Sequence, residues 1–183
     1  MTAAAAGGMA TTIRKAEVCE EEWKLIRELA ARVWWVTYDG IHSKEQLDFM
    51  FEEKYALDVM KHLTTECGHQ FYIASVDGVP VGFASLWYSE DGSTCELERL
   101  YVVPEMHGHG VGKALCDVVF EQARQHGCSF VTLTVNRINS AVQFYEHYGF
   151  KKESSFDADI GHGWQINAFR MRMAVPPLTQ STK

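Results

Sequence analysis

The stretch "HGHGVGK", His107 to Lys113, sets three glycines, two histidines and a lysine in one short run. Histidines at i and i+2 could form one edge of a metal site. A tight site needs three or four ligands, and no His, Cys or Asp cluster of suitable spacing stands nearby. His147 and His162 would have to be brought in by the fold, so no metal is expected. Glycines at this density let a backbone approach a ligand with no Cβ in the way, which makes the run a candidate anion cradle; a plain tight turn is the remaining reading. Just upstream, Glu96 and Glu98 lie on a strand-like run, and their spacing of two puts both carboxylates on one face. An unpaired buried charge is costly. These two need water, a salt bridge towards Arg99 or Lys113, or a cationic ligand.

The elements that must position these residues follow from periodicity. "TTIRKA" reads as a short strand, and "EEEWKLIRELAARVWWV" as a helix with apolar residues at three-to-four spacing and Glu20, Glu21 and Glu22 at its positive end. "SKEQ", Ser43 to Gln46, has the form of a capping box that starts a second helix running towards Leu63. The intervening "WWVTYDGIH" is an aromatic connection. If exposed, its Trp34 and Tyr38 line a substrate pocket; if buried, they are core. From Gln70 the period shortens: "FYIASV" and "VPVGFASLWY" are strands joined by Asp77-Gly78, a hairpin signal, with Pro80 tolerable only near a strand end or edge. "EDGS" turns into the strand "TCELERLYVV". Beyond the glycine run, "GVGKALCDVVFEQARQHG" is a helix with Gly127 at its C-cap position, and "SFVTLTV" is a β-branched buried strand. "NSAVQFYEHYGF" is a short helix capped by Asn139 or Ser140 and stopped at Gly149. Two late strands, Phe150 to Phe156 and Trp164 to Met173, flank "DIGHG".

The order strand, loop, helix, strand around Cys95 to Val135 is a crossover that should bring two parallel strands together. It places the glycine run at a helix N-terminus, where unsatisfied N–H groups and the helix dipole favour an anionic phosphate.

With 183 residues the chain fits one domain. Its 17 basic and 24 acidic residues leave a net charge of −7, without the basic surplus that a nucleic acid partner requires. A surplus of carboxylates would attract cationic small molecules or peptides. No stretch approaches the roughly 20 apolar residues of a membrane span, and the start lacks the basic and apolar regions of a secretory signal. Five widely spaced cysteines with no C-x-x-C pair argue against a disulfide framework and fit a reducing cytoplasm.

Two familiar phosphate loops fail on spacing. A Walker A loop needs a glycine where His107 stands and Ser or Thr where Ala114 stands. The Rossmann pattern needs two residues before its third glycine, but Gly108, Gly110 and Gly112 are evenly spaced. "LERLYVVPEMHGHGVGKAL" resembles instead the acyl-coenzyme A loop of the GNAT acetyltransferase superfamily, R/Q-x-x-G-x-G/A after an aromatic-Val-x-Pro strand end. Gly110 and Gly112 match its glycines, and His107 departs from its Gln or Arg. Asn136, Asn139, Ala141 and "FYEHYGF" resemble a second block of the same superfamily. The first helices and "FDADIGHGWQINAFRM" are similar to a branch that includes bacterial spermidine/spermine N-acetyltransferases.

The resemblance implies an α/β (α+β) fold, a mixed but mostly antiparallel sheet of about seven strands flanked by about four helices, over residues 11–174 between tails at 1–10 and 175–183. It implies acetyl transfer from acetyl-coenzyme A to a primary amine, with a polyamine the first acceptor, a peptide or protein N-terminus the rival, and a non-catalytic coenzyme A module the further alternative. It also implies roles. Tyr145 would protonate the leaving thiolate, with Tyr148 as stand-in. Glu98, then Glu96, would be the base. The coenzyme would lie on Leu100, Tyr101, Val102 and Val103 of the strand, on His107, Gly108, His109, Gly110, Val111, Gly112 and Lys113 of the loop, and on Asn136, Asn139, Ala141 and Phe144 beyond it. The resemblance also makes the late strand Trp164 to Met173 a candidate homodimer interface.

Overall fold

A computed structural model describes residues 10–176. Seven strands form one sheet in the order β1-β2-β3-β4-β5-β7-β6. They are β1 (Thr11–Lys15), β2 (Gln70–Val76), β3 (Val79–Tyr88), β4 (Thr94–Val102), β5 (Phe130–Asn136), β6 (Lys151–Asp159) and β7 (Gln165–Ala174). Every pairing is antiparallel except that of β4 with β5. Five helices flank it: α1 (Glu20–Tyr38), α2 (Lys44–Tyr55), α3 (Leu57–Thr65), α4 (Val111–His126) and α5 (Ala141–Tyr148). No described helix is long and apolar enough to cross a membrane.

Two expectations change. The single helix expected from Ser43 to Leu63 is two, because the backbone at Ala56 turns extended (φ −57°, ψ 143°). The Tyr55 carbonyl freed by that break accepts a hydrogen bond from Arg27 Nη1 at 2.9 Å, while the Ala56 N–H still closes α2 on Glu52 O. The aromatic connection is not a connection: α1 continues through Trp34 and Trp35 to Tyr38. Trp34 is fully buried, and its indole N–H donates to Leu47 O at 3.1 Å. Half the capping box at Ser43 forms, its Oγ accepting from Gln46 N.

Strand alternation sorts the sheet into two faces. Phe83 and Tyr101 share one of them, under Trp34 of α1 and Tyr55 of α2. Val102 lies on the other, where a Cβ added at Gly112 of α4 would meet it at 3.9 Å and the Phe144 ring of α5 at 3.4 Å. Asp77 and Gly78 both take positive φ in the β2–β3 hairpin, and Pro80 sits one residue from its end beside a bulge at Val81. The expected tails lie outside the described residues except for Ala10, Val175 and Pro176. Ala10 N–H donates to Asp77 Oδ1, and Val175 N–H to Ser129 O.

At Gly82 there is no room for a side chain between β3 and β4, since a Cβ there would lie 2.6 Å from Tyr101 O and 3.2 Å from Val102 Cα. Both obstacles are backbone and cannot swing aside. Gly82→Ala should therefore cost about 1–3 kcal/mol, read as a lower urea midpoint at unchanged slope.

Candidate functional site

β4 and β5 are neighbours for only three residue pairs, the last being Glu96 with Thr132. Beyond it both strands continue and diverge, so each presents an unpaired edge to the other. Their outer partners decide which groups face the gap. Val103 N–H donates to Val81 O at 2.8 Å, so alternation directs the N–H groups of Leu100 and Val102 away from β3 and into the gap. Arg137 N–H donates to Asn167 O at 2.8 Å, which likewise turns the backbone of Thr134 towards β4.

Around this gap lies a cavity of about 840 Å³. One end is walled by the glycine loop and the start of α4 with Asn139, Ala141, Phe144 and Tyr145, the other by Tyr38, Met50, Lys54, Glu98, Arg99 and Ile166. It runs through the split sheet from one face to the other.

The loop end has the backbone geometry expected of an anion cradle. Gly108 and Gly110 have φ of 79° and 83°, a conformation that costs a side chain roughly 1–2 kcal/mol. The first ladder bond of α4 is Ala114 N–H to Gly110 O, which leaves the amides of Val111, Gly112 and Lys113 unclaimed at the positive helix end. The two histidines are engaged elsewhere: His107 Nε2 donates to Val102 O at 2.8 Å and His109 Nδ1 to His107 O at 3.0 Å. Among the described residues no three His, Cys, Asp or Glu side chains gather to hold a metal. Lys113 pairs with Asp117 at 2.7 Å, not with Glu96 or Glu98.

Other expected residues divide. Leu100, Tyr101, Val102, Asn136, Asn139, Ala141 and Phe144 line the cavity; Val103 and His109 do not. Val103 is turned inward, its N–H spent on Val81 O. Asn139 rather than Ser140 caps α5, its Oδ1 accepting from Ala141 N at 2.8 Å, and Asn136 Oδ1 likewise accepts from Ile138 N. Tyr38 lines the cavity and Trp34 lies behind it in the core. Tyr145 reaches the cavity, and burial, with Cys116 and Tyr38 near, pushes its hydroxyl above the ordinary tyrosine range. Tyr148 is tied to Asp117 Oδ1 at 2.8 Å and lies outside the lining.

Glu96 and Glu98 both line the cavity but differ in freedom. Glu96 is committed: Oε2 accepts from Thr132 Oγ1 at 2.6 Å, and Arg170 bonds both oxygens at 2.7 Å. Glu98 sits in a bulge, for Leu97 pairs with Leu86 and Arg99 with Ser85, leaving it no opposite residue. It accepts one bond, from Trp87 Nε1 at 3.2 Å. Burial pushes its carboxyl up, but Arg99, Lys54, Trp87 and His69 together outweigh that and hold it below the ordinary carboxylate range.

Sequence reasoning missed Lys54 and Arg170, and it named Arg99 only as a salt-bridge direction for the two glutamates; its Nη1 lies 3.7 Å from Glu98 Oε1. Alternation from Glu98 would send Arg99 to the opposite face; the bulge brings it to the same one. Lys54 arrives from a helix distant in sequence, and Arg170 from β7 across β5, so neither has a local signal.

The acetyltransferase (GNAT) family profile matches residues 27–150. A spermidine N(1)-acetyltransferase of Thermoplasma acidophilum is 30% identical over 157 residues, covering 83% of this chain and 95% of that protein. An uncharacterized N-acetyltransferase of Methanocaldococcus jannaschii is 30% identical over 119 residues, 62% of this chain, and the chain spans only 50% of that relative's length. Among solved structures, the PaiA N-acetyltransferase of T. acidophilum in complex with coenzyme A superposes with a TM-score of 0.76 at 29% identity, over 91% of this chain and 99% of that one.

The Glu96, Thr132 and Arg170 cluster closes the apex of the split. Arg170→Ala would leave Glu96, 6% exposed, with Thr132 alone, at an expected cost of about 3 kcal/mol. Adding Glu96→Gln should recover much of that in urea denaturation, because the charge left stranded is gone.

Proposed function

The chain belongs to the acetyltransferase (GNAT) family, and from that premise we propose that it is an N-acetyltransferase that passes the acetyl group of acetyl-coenzyme A to the primary amine of a small molecule. The observation that carries this reading is the single cavity that threads the gap between β4 and β5, with an anion cradle at one end and polar side chains at the other. Acetyl-coenzyme A, when bound, supplies an acetyl thioester on a long amide-bearing arm that ends in a pyrophosphate.

The chain's own groups fit that molecule in order. The amides at the start of α4 would hold the pyrophosphate. The open edges of β4 and β5 would hydrogen-bond the arm as an additional strand would, which satisfies backbone groups that have no strand partner beyond Glu96 and Thr132. The N–H of Leu100 or Val102 is the donor aimed where negative charge gathers on a carbonyl oxygen. His107, in place of a longer donor, braces the loop to the end of β4 through Val102 O.

Proton handling falls to two side chains. Tyr145, kept protonated by burial, holds a proton for the sulfur that leaves. Glu98, ionised and bonded only to Trp87, takes the proton shed by the acceptor ammonium, directly or through water. Glu96 cannot share that task, since Arg170 and Thr132 occupy its oxygens. A polyamine acceptor draws support from the spermidine-acetylating relative; Lys54 and Arg99 in the cavity wall speak against a polycation.

Thiol release from acetyl-coenzyme A across a panel of amines, amino acids and peptides tests the reading, which fails if coenzyme A binds and no amine is acetylated. Tyr145→Phe should lower kcat about 100-fold with the KM for acetyl-coenzyme A within about twofold; an unchanged kcat would remove Tyr145 from the chemistry. His107→Ala should raise the KM for acetyl-coenzyme A about fivefold, the worth of one hydrogen bond, with little change in kcat.

A further inference from the structure

We propose that the acceptor end of the cavity is built for an amine that also carries a carboxylate, with Arg99 and Lys54 as its anchors; the inference rests on the acetyltransferase reading and narrows its substrate class. Arg99 is 5% exposed, yet its guanidinium is poorly matched by the protein. Nη1 lies 3.4 Å from Ser85 Oγ and Nη2 3.5 Å from Lys54 O, both at the limit of a hydrogen bond, and Glu98 Oε1 is 3.7 Å away. Nε has no acceptor. A guanidinium buried this deeply usually meets a carboxylate in a bidentate pair. Here it instead lies over the rings of Tyr55 and Phe71, 5.4 and 5.7 Å from their centroids, at the cavity wall.

A second cation stands beside it. Lys54, at the end of α2, lines the same wall; burial pushes its ammonium down and Arg99 pushes it further, against the pull of Glu98. Glu98 serves both cations and Glu96 is matched by Arg170, so Lys54, Arg99 and Arg170 against Glu96 and Glu98 leave one positive charge. The neighbouring groups add no compensating anion. His69 faces Arg99 and Glu98 and is held towards its neutral form by burial. Tyr38 and Tyr101 share a 2.8 Å hydroxyl contact, and the fully buried Tyr55 hydroxyl has no partner. A carboxylate on the acceptor would supply the missing charge beside both cations. A polycation would add to the repulsion.

The test compares the L-α-amino acids and a series of ω-amino acids, each against its own carboxamide, together with spermidine, in thiol release at saturating acetyl-coenzyme A. The expected result is a carboxylate over its carboxamide by about tenfold or more in kcat/KM, the worth of a charge-assisted hydrogen bond. That ratio should fall several-fold in Lys54→Gln and in Arg99→Gln, mainly through the acceptor KM. If Arg99→Gln does not fold, Lys54→Gln at the cavity wall decides the matter. Preference for the carboxamides or for spermidine would overturn the inference while the transferase reading stands. Acetylation of no amine at all would bring down both.

Discussion

The divergence of β4 from β5 is the constraint on which the rest depends. Two parallel strands share three residue pairs and then separate, and separation exposes backbone groups that a protein interior cannot leave unpaired without cost. The parting is held open by its own apex: Glu96 and Thr132, the last pair, are hydrogen-bonded through their side chains, and Arg170 on β7 clamps both. A buried carboxylate is thus spent on architecture. A ligand with a long run of amides is the natural complement of the gap so formed.

The bulge at Glu98 is the second decisive departure from regularity. In an unbroken strand Glu98 and Arg99 would point to opposite faces. With no residue opposite Glu98, the strand places Glu96, Glu98 and Arg99 along one cavity. The same irregularity produces a lightly bonded carboxylate and an under-satisfied guanidinium side by side. The proposed base and the proposed anchor therefore both trace to one extra residue.

The glycine loop works by subtraction. Gly108 and Gly110 permit a left-handed path, and at Gly112 an added Cβ would already lie 3.4 Å from the Phe144 ring. The amides at the start of α4 then have no acceptor within the helix. His107, where the family pattern has Gln or Arg, ties the loop to the end of β4 through Val102 O.

The sequence alone determined most elements, because their signals are local: the apolar stripe of α4 with Gly127 at its end, the Asp77-Gly78 hairpin, and the crossover that makes β4 and β5 parallel. It also carried the family, since two motif blocks in the right order are a property of the chain. What it left open was set by contacts between distant segments. Ala56 breaks a helix whose freed carbonyl is met by Arg27, and Trp34 is core because α2 covers it. Glu96 is a strut because Arg170 crosses β5 to reach it. Arg99 enters the cavity because a bulge, legible only in the pairing of β3 with β4, shifts the alternation by one residue. Spacing along a chain specifies which way a side chain would point in an ideal strand or helix; only the assembled sheet decides where the ideal is broken.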